Sequence, residues 1–527
     1  MAWAVLSGLS SRGVAAVEPF AGVDDKWRHY QSPHFELYSR VNEGDSRTLL
    51  HELEVLRAIT LGTLKLESRT PAPVTLFHFR NEHDLRAYFP PELRKNDIYR
   101  AYYRTDPDRG FMLLAPLDSD RRGNQLALSS YIAHLFTMSG ERPPPWFQHG
   151  FGDLFETIEV GSDHVTFGRP SPGVVQYLQR ERFLPLESLL GIEQDNPLFK
   201  DEERSRLFFA QAWAVVHYWL LGQHDDLPRE RVYAFLAYAR QHREAGGEEL
   251  RQAFEATFGL TYAEMNRRID TYVSSGRYMA ARLPLPEVPP AKSYARRDVP
   301  RDEIRLRLGE VAFRTNRDPA GKFALLDSLG RGGANLRSLE ALGAMALRDG
   351  NLGEARERWN AAFEAGSQNP ALLRLLAEFE TKPWFRQIDY HFRLSDETAA
   401  RLRALLKRSI ECAPQQAEAY EQLAWVESAA PKPEIASVNL VQGKFATLDD
   451  RPRTLLALAL VRLRLGDRAT GERLLANVEE MSPPVSVLQS VERVRAILEG
   501  RPPRRIEGAD APPARAVRRS PGLHKPE

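Results

Sequence analysis

Cysteine is almost absent from this chain, since Cys412 is the only one among 527 residues. An intramolecular disulfide and a cysteine metal cluster are both excluded, because each needs at least two thiols. An excess of one charge is also lacking: 72 basic residues stand against 71 acidic ones, and the formal net charge is +1. That balance provides no general attraction to nucleic acid or to an anionic membrane.

A long apolar run is missing as well. No stretch of about 18 or more apolar residues occurs, so no membrane span is predicted. Residues 1–20 are mildly apolar, but Arg12 interrupts them and no basic residue precedes it. Two alternatives stay open for a leader over residues 1–23, a degenerate or clipped export signal and a disordered start. Localisation is undetermined: cell envelope or periplasm in the first case, cytoplasm in the second.

A chain of this length is expected to form at least two domains, because one hydrophobic core does not serve so many residues. Proline-rich segments mark the predicted boundaries between them. Residues 283–302 are predicted to be a linker, because repeated prolines do not fit a helix or a central strand. Residues 501–527 hold six prolines, seven basic residues and three acidic ones, and are predicted to be a disordered basic tail. The sequence thus divides into the leader, a first domain over 24–282, the linker, a helical region over 303–500 and the tail.

The first domain has a mixed pattern. Strands are predicted at residues 34–38, 74–79 and 110–115, a helix at 45–65, and a hairpin at 160–167. Downstream of Gly123 the pattern is mostly helical, and Thr261 with Glu264 forms a capping box that opens a last helix. Strands first and helices later indicate an α+β domain.

The helical region repeats at a period of 34 residues. Gly309 and Gly343 are one period apart, and Ala355, Trp359 and Ala362 hold the small, aromatic and small sites of a second helix. This spacing resembles tetratricopeptide repeats and predicts about five helix pairs, enough to bury a continuous core. We therefore expect an all-α helical solenoid, able to fold alone as residues 303–500.

The resemblance to tetratricopeptide repeats also implies a peptide-binding groove. Arg314, Arg348 and Arg464 share the thirteenth position of their units, and Trp425 holds the ninth position of another. Guanidinium groups in a row suit an acidic peptide or a terminal carboxylate. The alternative is that the three arginines are ordinary solvated side chains.

Five segments of the first domain follow one another in a distinctive order. They are SPHFELYS, LALSSYIAHLF, PPPWFQHGFGDLFET, FFAQAWAVVHYWLLG and AFEATFGLTYAEMNRRIDTYV. In this order they resemble the peptidase MA-like proteins, zinc hydrolases of the gluzincin type. The resemblance covers residues 27–279 and implies a zincin-like fold.

The zinc ligands that this resemblance implies are not in place. Ser129 and Ala133 stand where the family has its two histidines, Ser130 replaces the general base, and His149 replaces the third ligand, a glutamate. A hydroxyl is a poor neutral ligand for Zn²⁺ and a methyl group is none. We therefore expect no catalytic residues, no metal and no cofactor.

An alternative keeps a metal. His134, His149 and Asp153 could share one zinc ion if their helices pack as in the family, with His149 and Asp153 on one helix face. Other chemistry has less support, because the chain shows no G-x-S-x-G elbow around its serines and no glycine-rich phosphate loop.

Three hypotheses follow. In the first, an inactive metallopeptidase-like domain and a tetratricopeptide-like region both bind protein or peptide, the former by strand addition beside residues 110–115. In the second, the chain is a zinc hydrolase with the unorthodox site of His134, His149 and Asp153. In the third, the chain is a plain adaptor that binds its partner through the tetratricopeptide-like region, and its first domain only supports that region structurally. None involves nucleic acid.

Overall fold

The chain folds into two compact units, Met1–Gly366 and Ser367–Glu527. The computed structural model describes residues 20–64, 73–95, 101–116, 128, 130–136, 143–193, 196–222, 226–241, 247–330, 335–385, 391–445, 448, 451–481 and 483–506. The predicted order is confirmed at the coarse level, because a mixed sheet near the start is followed by many helices. Among the helices described, none combines the length and the apolar character that crossing a bilayer requires.

The first unit is built on a six-stranded mixed sheet with the strand order β4-β5-β3-β2-β1-β9. Its strands are β1 (Arg28–Gln31), β2 (Phe35–Ser39), β3 (Val74–His78), β4 (Ala101–Thr105), β5 (Gly110–Leu114) and β9 (Ala295–Asp298). β2, β3 and β5 are parallel, and the other pairings are antiparallel. The strand predicted at 110–115 is thus confirmed, but strand addition beside it is not feasible, because β3 and β4 occupy both of its edges.

Alternation along the strands gives the sheet two apolar faces. On one face Leu37, Leu76 and Met112 belong to a core that includes Leu49 and Leu53 of α1 (Glu43–Leu64). This face continues into the helices that follow: α3 (residues 130–136), α4 (Pro145–Asp153), α5 (Pro172–Leu178), α6 (Leu186–Leu190), α7 (Glu202–Leu221), α8 (Arg229–Gln241), α9 (Gly247–Phe258) and α10 (Tyr262–Ser275). The predicted capping box of Thr261 and Glu264 is present at the start of α10.

The opposite face of the sheet is covered by α11 (Arg301–Asn316). Phe77 and Phe111 of the sheet share a core with Ile304, Leu308 and Val311 of this helix. The first helix of the predicted repeat region therefore completes the core of the sheet. This finding moves the division of the chain from the predicted residue 303 to the end of the second helix pair, at Gly366.

Residues 283–302, predicted to be a linker, contribute to both sheets of the first unit. β8 (Ala281–Pro284) extends the predicted hairpin of β6 (Glu159–Val160) and β7 (His164–Phe167) into a small three-stranded sheet, and β9 pairs with β1. Both are edge strands. Proline is tolerated there because one side of an edge strand needs no N–H donor.

Two helix pairs complete the first unit, α11 with α12 (Pro319–Gly330) and α13 (Leu336–Arg348) with α14 (Leu352–Glu364). Trp359 is fully buried, and a Cβ on Gly343 would lie 2.3 Å from its ring. The close approach predicted from the small and aromatic residues is confirmed for this pair.

The second unit consists mainly of helices in its described residues. Most of these helices pack against the next described helix along the chain. They are α15 (Pro370–Phe385), α16 (Asp396–Cys412), α17 (Ala417–Ala429), α18 (Ile435–Lys444), α19 (Arg451–Arg464), α20 (Arg468–Glu480) and α21 (Val485–Glu499).

Candidate functional site

The residues predicted to stand in place of zinc-site residues lie, where they are described, on α3 and α4. Ser129 is outside the described residues, and Ser130 and Ala133 are on α3. Neither a neutral hydroxyl nor a methyl group supplies a strong ligand for Zn²⁺, and Ser130 has no carboxylate to accept a proton from a bound water.

His134 of α3 points toward the sheet. Its Nδ1 atom forms a hydrogen bond with the Tyr103 hydroxyl and lies 3.4 Å from Thr105 Oγ1. A Cβ on Gly110 would lie 3.0 Å from its ring, so glycine at that position leaves room for the imidazole. Burial lowers the pKa of His134 to about 3, which keeps the ring neutral. These contacts give His134 a packing role between α3 and the strands β4 and β5.

His149 of α4 is surrounded by aromatic rings. The ring centroids of Phe209, Phe208 and Phe199 lie 4.8, 6.1 and 6.3 Å from that of the imidazole. Burial lowers the pKa of His149 to about 4. The side chain predicted to stand at the third ligand position is thus a neutral ring within an apolar cluster.

The alternative zinc site is not assembled. Within the described part of the chain, no three His, Cys, Asp or Glu side chains lie close enough to hold one metal ion, and His134, His149 and Asp153 are all described. The hydrogen bond of His134 to Tyr103 and the aromatic surroundings of His149 explain why these groups do not converge. The residues present therefore do not fit the metal that the resemblance implies.

A cavity of about 350 Å³ opens beside the end of α4, between α5 and α7. Its walls are largely apolar, with rings from Tyr177, Phe209 and Trp213. The carboxyl groups of Asp153 and Glu156 line it as well. Arg206 is also a lining residue, and it pairs with the exposed Glu202 at 3.0 Å. Cavities of this size and character commonly bind small ligands or single side chains.

Asp153 and Glu156 are unusual among the acids of this chain. They are three residues apart, half-buried, and neither side chain has a hydrogen bond or an ion pair with any residue that the structure describes. Burial raises the pKa of Glu156 to about 7, and burial together with Glu156 raises the pKa of Asp153 well above its usual range. The Tyr177 hydroxyl, on the same wall, is also without a partner among the described residues.

Arg314, the first of the arginines predicted to line a peptide-binding groove, is instead fully buried. It donates to Asp106 Oδ2 at 2.9 Å, to both oxygens of Asp108 at 3.0 and 2.9 Å, and to Glu310 at 3.1 Å. Its guanidinium also lies 5.0 Å from the centre of the Phe111 ring. Because the Arg314 side chain is fully buried and bonded to carboxylates of the first unit, it is not accessible to an acidic ligand.

Arg314 belongs to a buried ionic cluster between the sheet and the helices α11 and α13. Arg337 bonds to Glu310 at 2.9 Å and approaches Glu36 at 3.4 Å, and Arg109 bonds to Glu340 at 3.1 Å. Its bases are Arg104, Arg109, Arg307, Arg314 and Arg337, and its acids are Glu36, Asp106, Asp108, Glu310 and Glu340. Equal numbers of both signs leave this ionic cluster without net charge.

Arg348 and Arg464 have different surroundings. Arg348 donates to the carbonyl oxygen of Arg314 at 2.6 Å, and burial lowers its pKa to about 10. Arg464 is half-buried and donates to the carbonyl oxygen of Phe392 at 3.2 Å. The three arginines therefore do not form one exposed row.

Trp425 is buried rather than displayed on a surface. Only 7% of the residue is exposed, and the guanidinium of Arg453 lies 5.7 Å from the centre of its ring. Its large apolar area thus packs within the second unit, and the prediction that it lines a groove does not fit this environment.

A surface that the sequence did not indicate is found on α21, the last helix. Gln489 donates to the carbonyl oxygen of Arg504 at 2.9 Å and accepts from the N–H of Ile506 at 2.7 Å. Glu492 accepts from the N–H of Arg504 at 2.8 Å and pairs with the Arg501 guanidinium. Residues 501–506, predicted to belong to a disordered tail, therefore lie along this helix in an irregular, non-helical conformation.

The sequence patterns that could have indicated the cavity and the α21 surface differ in strength. Asp153 and Glu156 follow the aromatic run PWFQHGF at a spacing that places them near one another, so the sequence could have indicated them. Gln489 and Glu492 have the same spacing, but polar pairs of this kind occur on many solvated helices. Nothing in their pattern indicates that they bind a backbone.

Comparison of the chain with protein-family models, with curated proteins and with solved structures finds no significant match.

Proposed function

We propose that this protein is a catalytically inactive, metallopeptidase-like protein that binds polypeptide through its tetratricopeptide-like helical region. The observation that carries the proposal is the way in which α21 holds residues 501–506. Gln489 uses both ends of its amide, one for a main-chain carbonyl and one for an N–H two residues farther on.

Such bonds recognise a peptide backbone. A chain segment outside a helix or sheet has N–H and C=O groups that need partners, and side chains of α21 provide them. Because main-chain groups are common to all peptides, a segment of another protein could form the same bonds. The salt bridge between Glu492 and Arg501 favours a basic side chain before the recognised backbone. An acidic partner stays a prediction for the surroundings of Arg464 alone.

The proposal of inactivity is supported by side-chain chemistry. Ser130 and Ala133 lack the groups that bind zinc or activate water, His134 is bonded to Tyr103, and His149 lies among phenylalanine rings. Purified protein is expected to hold zinc below one ion per chain and to leave denatured casein intact. Zinc near one ion per chain that is lost in His149→Ala would contradict this part of the proposal.

A plain adaptor is the second candidate. The buried ionic cluster favours it, because it fastens the sheet to α11 and α13 and makes the first region a rigid support for the first helix pairs. In this candidate the cavity beside α4 would have no ligand.

The test of peptide binding uses the chain with residues 501–527 removed, which exposes the α21 surface. A fluorescent peptide with the sequence RPPRRIEGAD, residues 501–510, is titrated and its anisotropy is measured. We expect saturable binding to the shortened chain and weaker binding to the full chain, whose own segment competes.

Two variants and a control identify the surface. Gln489→Ala and Glu492→Ala in the shortened chain are expected to weaken binding by roughly threefold to tenfold each, since a typical hydrogen bond contributes about 0.5–1.5 kcal/mol. Gln442→Ala, an exposed glutamine on α18, is the matched control and should bind as the parent does. Absence of binding to a shortened chain with normal helical circular dichroism would refute the proposal.

A further inference from the structure

We propose that the cavity beside α4 is a binding site for a protonated aliphatic amine, either a free diamine or the side chain of a lysine. The site consists of Asp153 and Glu156 with the rings of Tyr177, Phe209 and Trp213. It is distinct from the α21 surface, so it does not depend on the peptide-binding proposal.

The first argument concerns the two carboxyl groups. The buried acids of the ionic cluster have basic partners, whereas Asp153 and Glu156 have none among the described residues. Two neighbouring acids in an apolar cavity do not ionise together without a cation, because desolvation and mutual repulsion both oppose it. A positive ligand would compensate both effects, and Arg206, a basic residue that lines the cavity, is instead paired with Glu202.

The second argument concerns the walls. Three aromatic rings and the aliphatic groups of Val174 and Ala210 line the cavity. Aromatic faces attract cations, and an apolar wall suits an alkyl chain. The Tyr177 hydroxyl offers one more polar atom that needs a partner. A short alkyl chain with an ammonium group at its end meets all of these features.

The same features disfavour a metal ion. Ca²⁺ takes six to eight oxygen ligands and Mg²⁺ six, whereas the cavity offers two carboxyl groups and one phenol. Zn²⁺ prefers histidine and cysteine, and no group of three metal-binding side chains occurs among the described residues. An organic cation needs fewer fixed ligands, because it brings its own N–H donors and an apolar body.

The test titrates the full chain at pH 8 with cadaverine by isothermal calorimetry, and with n-hexanol as a neutral compound of similar length. We expect cadaverine to bind and hexanol to bind much more weakly. The double variant Asp153→Asn, Glu156→Gln should lose roughly tenfold to a hundredfold in cadaverine affinity, the range that corresponds to one hydrogen bond to a charged group. Glu187→Gln, which removes an exposed acid on α6 outside the cavity, is the matched control.

A second measurement reports the protonation state of Asp153 and Glu156. Cadaverine binding at pH 6 should release protons, seen as a heat that depends on the ionisation enthalpy of the buffer, and the double variant should release none. Both substitutions are close to isosteric and remove buried charge, so folding is expected to be retained and is checked by circular dichroism. Equal affinity for hexanol and cadaverine, or an unchanged affinity in the folded double variant, would overturn the proposal.

The source of the amine is decided by a third titration. Nα-acetyl-lysine methylamide carries a lysine side chain in a peptide-like setting. If it binds as well as cadaverine and depends on the same two acids, the site accepts lysine from a polypeptide. If only cadaverine binds, the ligand is a free amine, and the proposed site stands in either case.

Discussion

Arg314 in the first unit and Arg464 in the second are predicted to share the thirteenth position of their repeat units, yet their environments differ. Arg314 is fully buried and bonded to three carboxylates, whereas Arg464 is half-buried and bonded to a main-chain carbonyl. The repeat position therefore does not determine whether an arginine can meet a ligand. What determines it is the structure that covers the helix, which in the first unit is a sheet with its own acids.

The largest expected effect is a difference in folding between two fragments of the chain. Residues 367–506 form most of a unit with its own core, so this fragment should unfold cooperatively and be strongly helical. A fragment over 303–506 adds α11–α14 without the sheet, which exposes Ile304, Leu308 and the ionic cluster. Hydrogen exchange is expected to show protection in α15–α21 of both fragments and none in α11. Protection of α11 without the sheet would mean that the helical region folds as the sequence predicts.

Removing the Arg314 side chain tests the ionic cluster directly. Arg314→Ala leaves Asp108 buried without its main counterion and removes one of the basic partners of Asp106 and of Glu310, which should cost about 3–5 kcal/mol of stability. The measurement is urea unfolding of the full chain, followed by tryptophan fluorescence. Arg464→Ala is the control and should cost about 1 kcal/mol or less. Similar losses in the two variants would remove the contrast between the two units.

Substitution of one glycine in each unit is expected to give a smaller difference in stability. A Cβ on Gly343 would lie 2.3 Å from the Trp359 ring, which is fully buried and donates to the carbonyl oxygen of Glu340, so Gly343→Ala should cost about 1–3 kcal/mol. A Cβ on Gly471 in the second unit would meet mainly the side chain of Leu463, which can change rotamer. The helix propensity of alanine then offsets most of the strain, and Gly471→Ala should change stability by less than about 1 kcal/mol. Thermal unfolding of both variants decides the comparison.

The smallest expected effect depends on pH and contrasts paired with unpaired acids. The pKa of Glu156 is about 7 in the folded chain and about 4.3 when unfolded, so the native state holds the proton more tightly. Its destabilising contribution therefore grows as pH rises from about 4.3 to 7 and is constant above that range.

Glu156→Gln removes this contribution. The variant should match the parent near pH 4 and exceed its stability by on the order of 1–3 kcal/mol at pH 8. Buried histidines such as His134 and His149 act in the opposite direction, since their lowered pKa values make acid destabilising, but they are common to both proteins. Denaturant unfolding at several pH values measures the difference, and Glu187→Gln should show none.

Local patterns determined much of this protein in advance. Alternation at residues 34–38 specified β2, short strand-like segments at 74–79 and 110–115 specified β3 and β5, and the Thr261–Glu264 capping box specified the start of α10. The spacing of Gly343 and Trp359 specified a close helix pair. The prediction that Ser130 and Ala133 supply no strong zinc ligand rests on side-chain chemistry alone, because a hydroxyl or a methyl group is a poor ligand in any fold. These features depend on a few residues that are close together in the sequence, so local sequence patterns predict them directly.

The environment of each charged side chain was decided only by the tertiary structure. Arg314 meets Asp106 across 208 positions of sequence, and no periodic pattern reports a contact of that separation. The same holds for β9, which pairs with β1 across most of the first unit, and for Asp153 and Glu156, whose cavity is closed by α5 and α7. Burial and pairing of charge arise from long-range packing, whereas periodicity within a segment shows only which face is apolar.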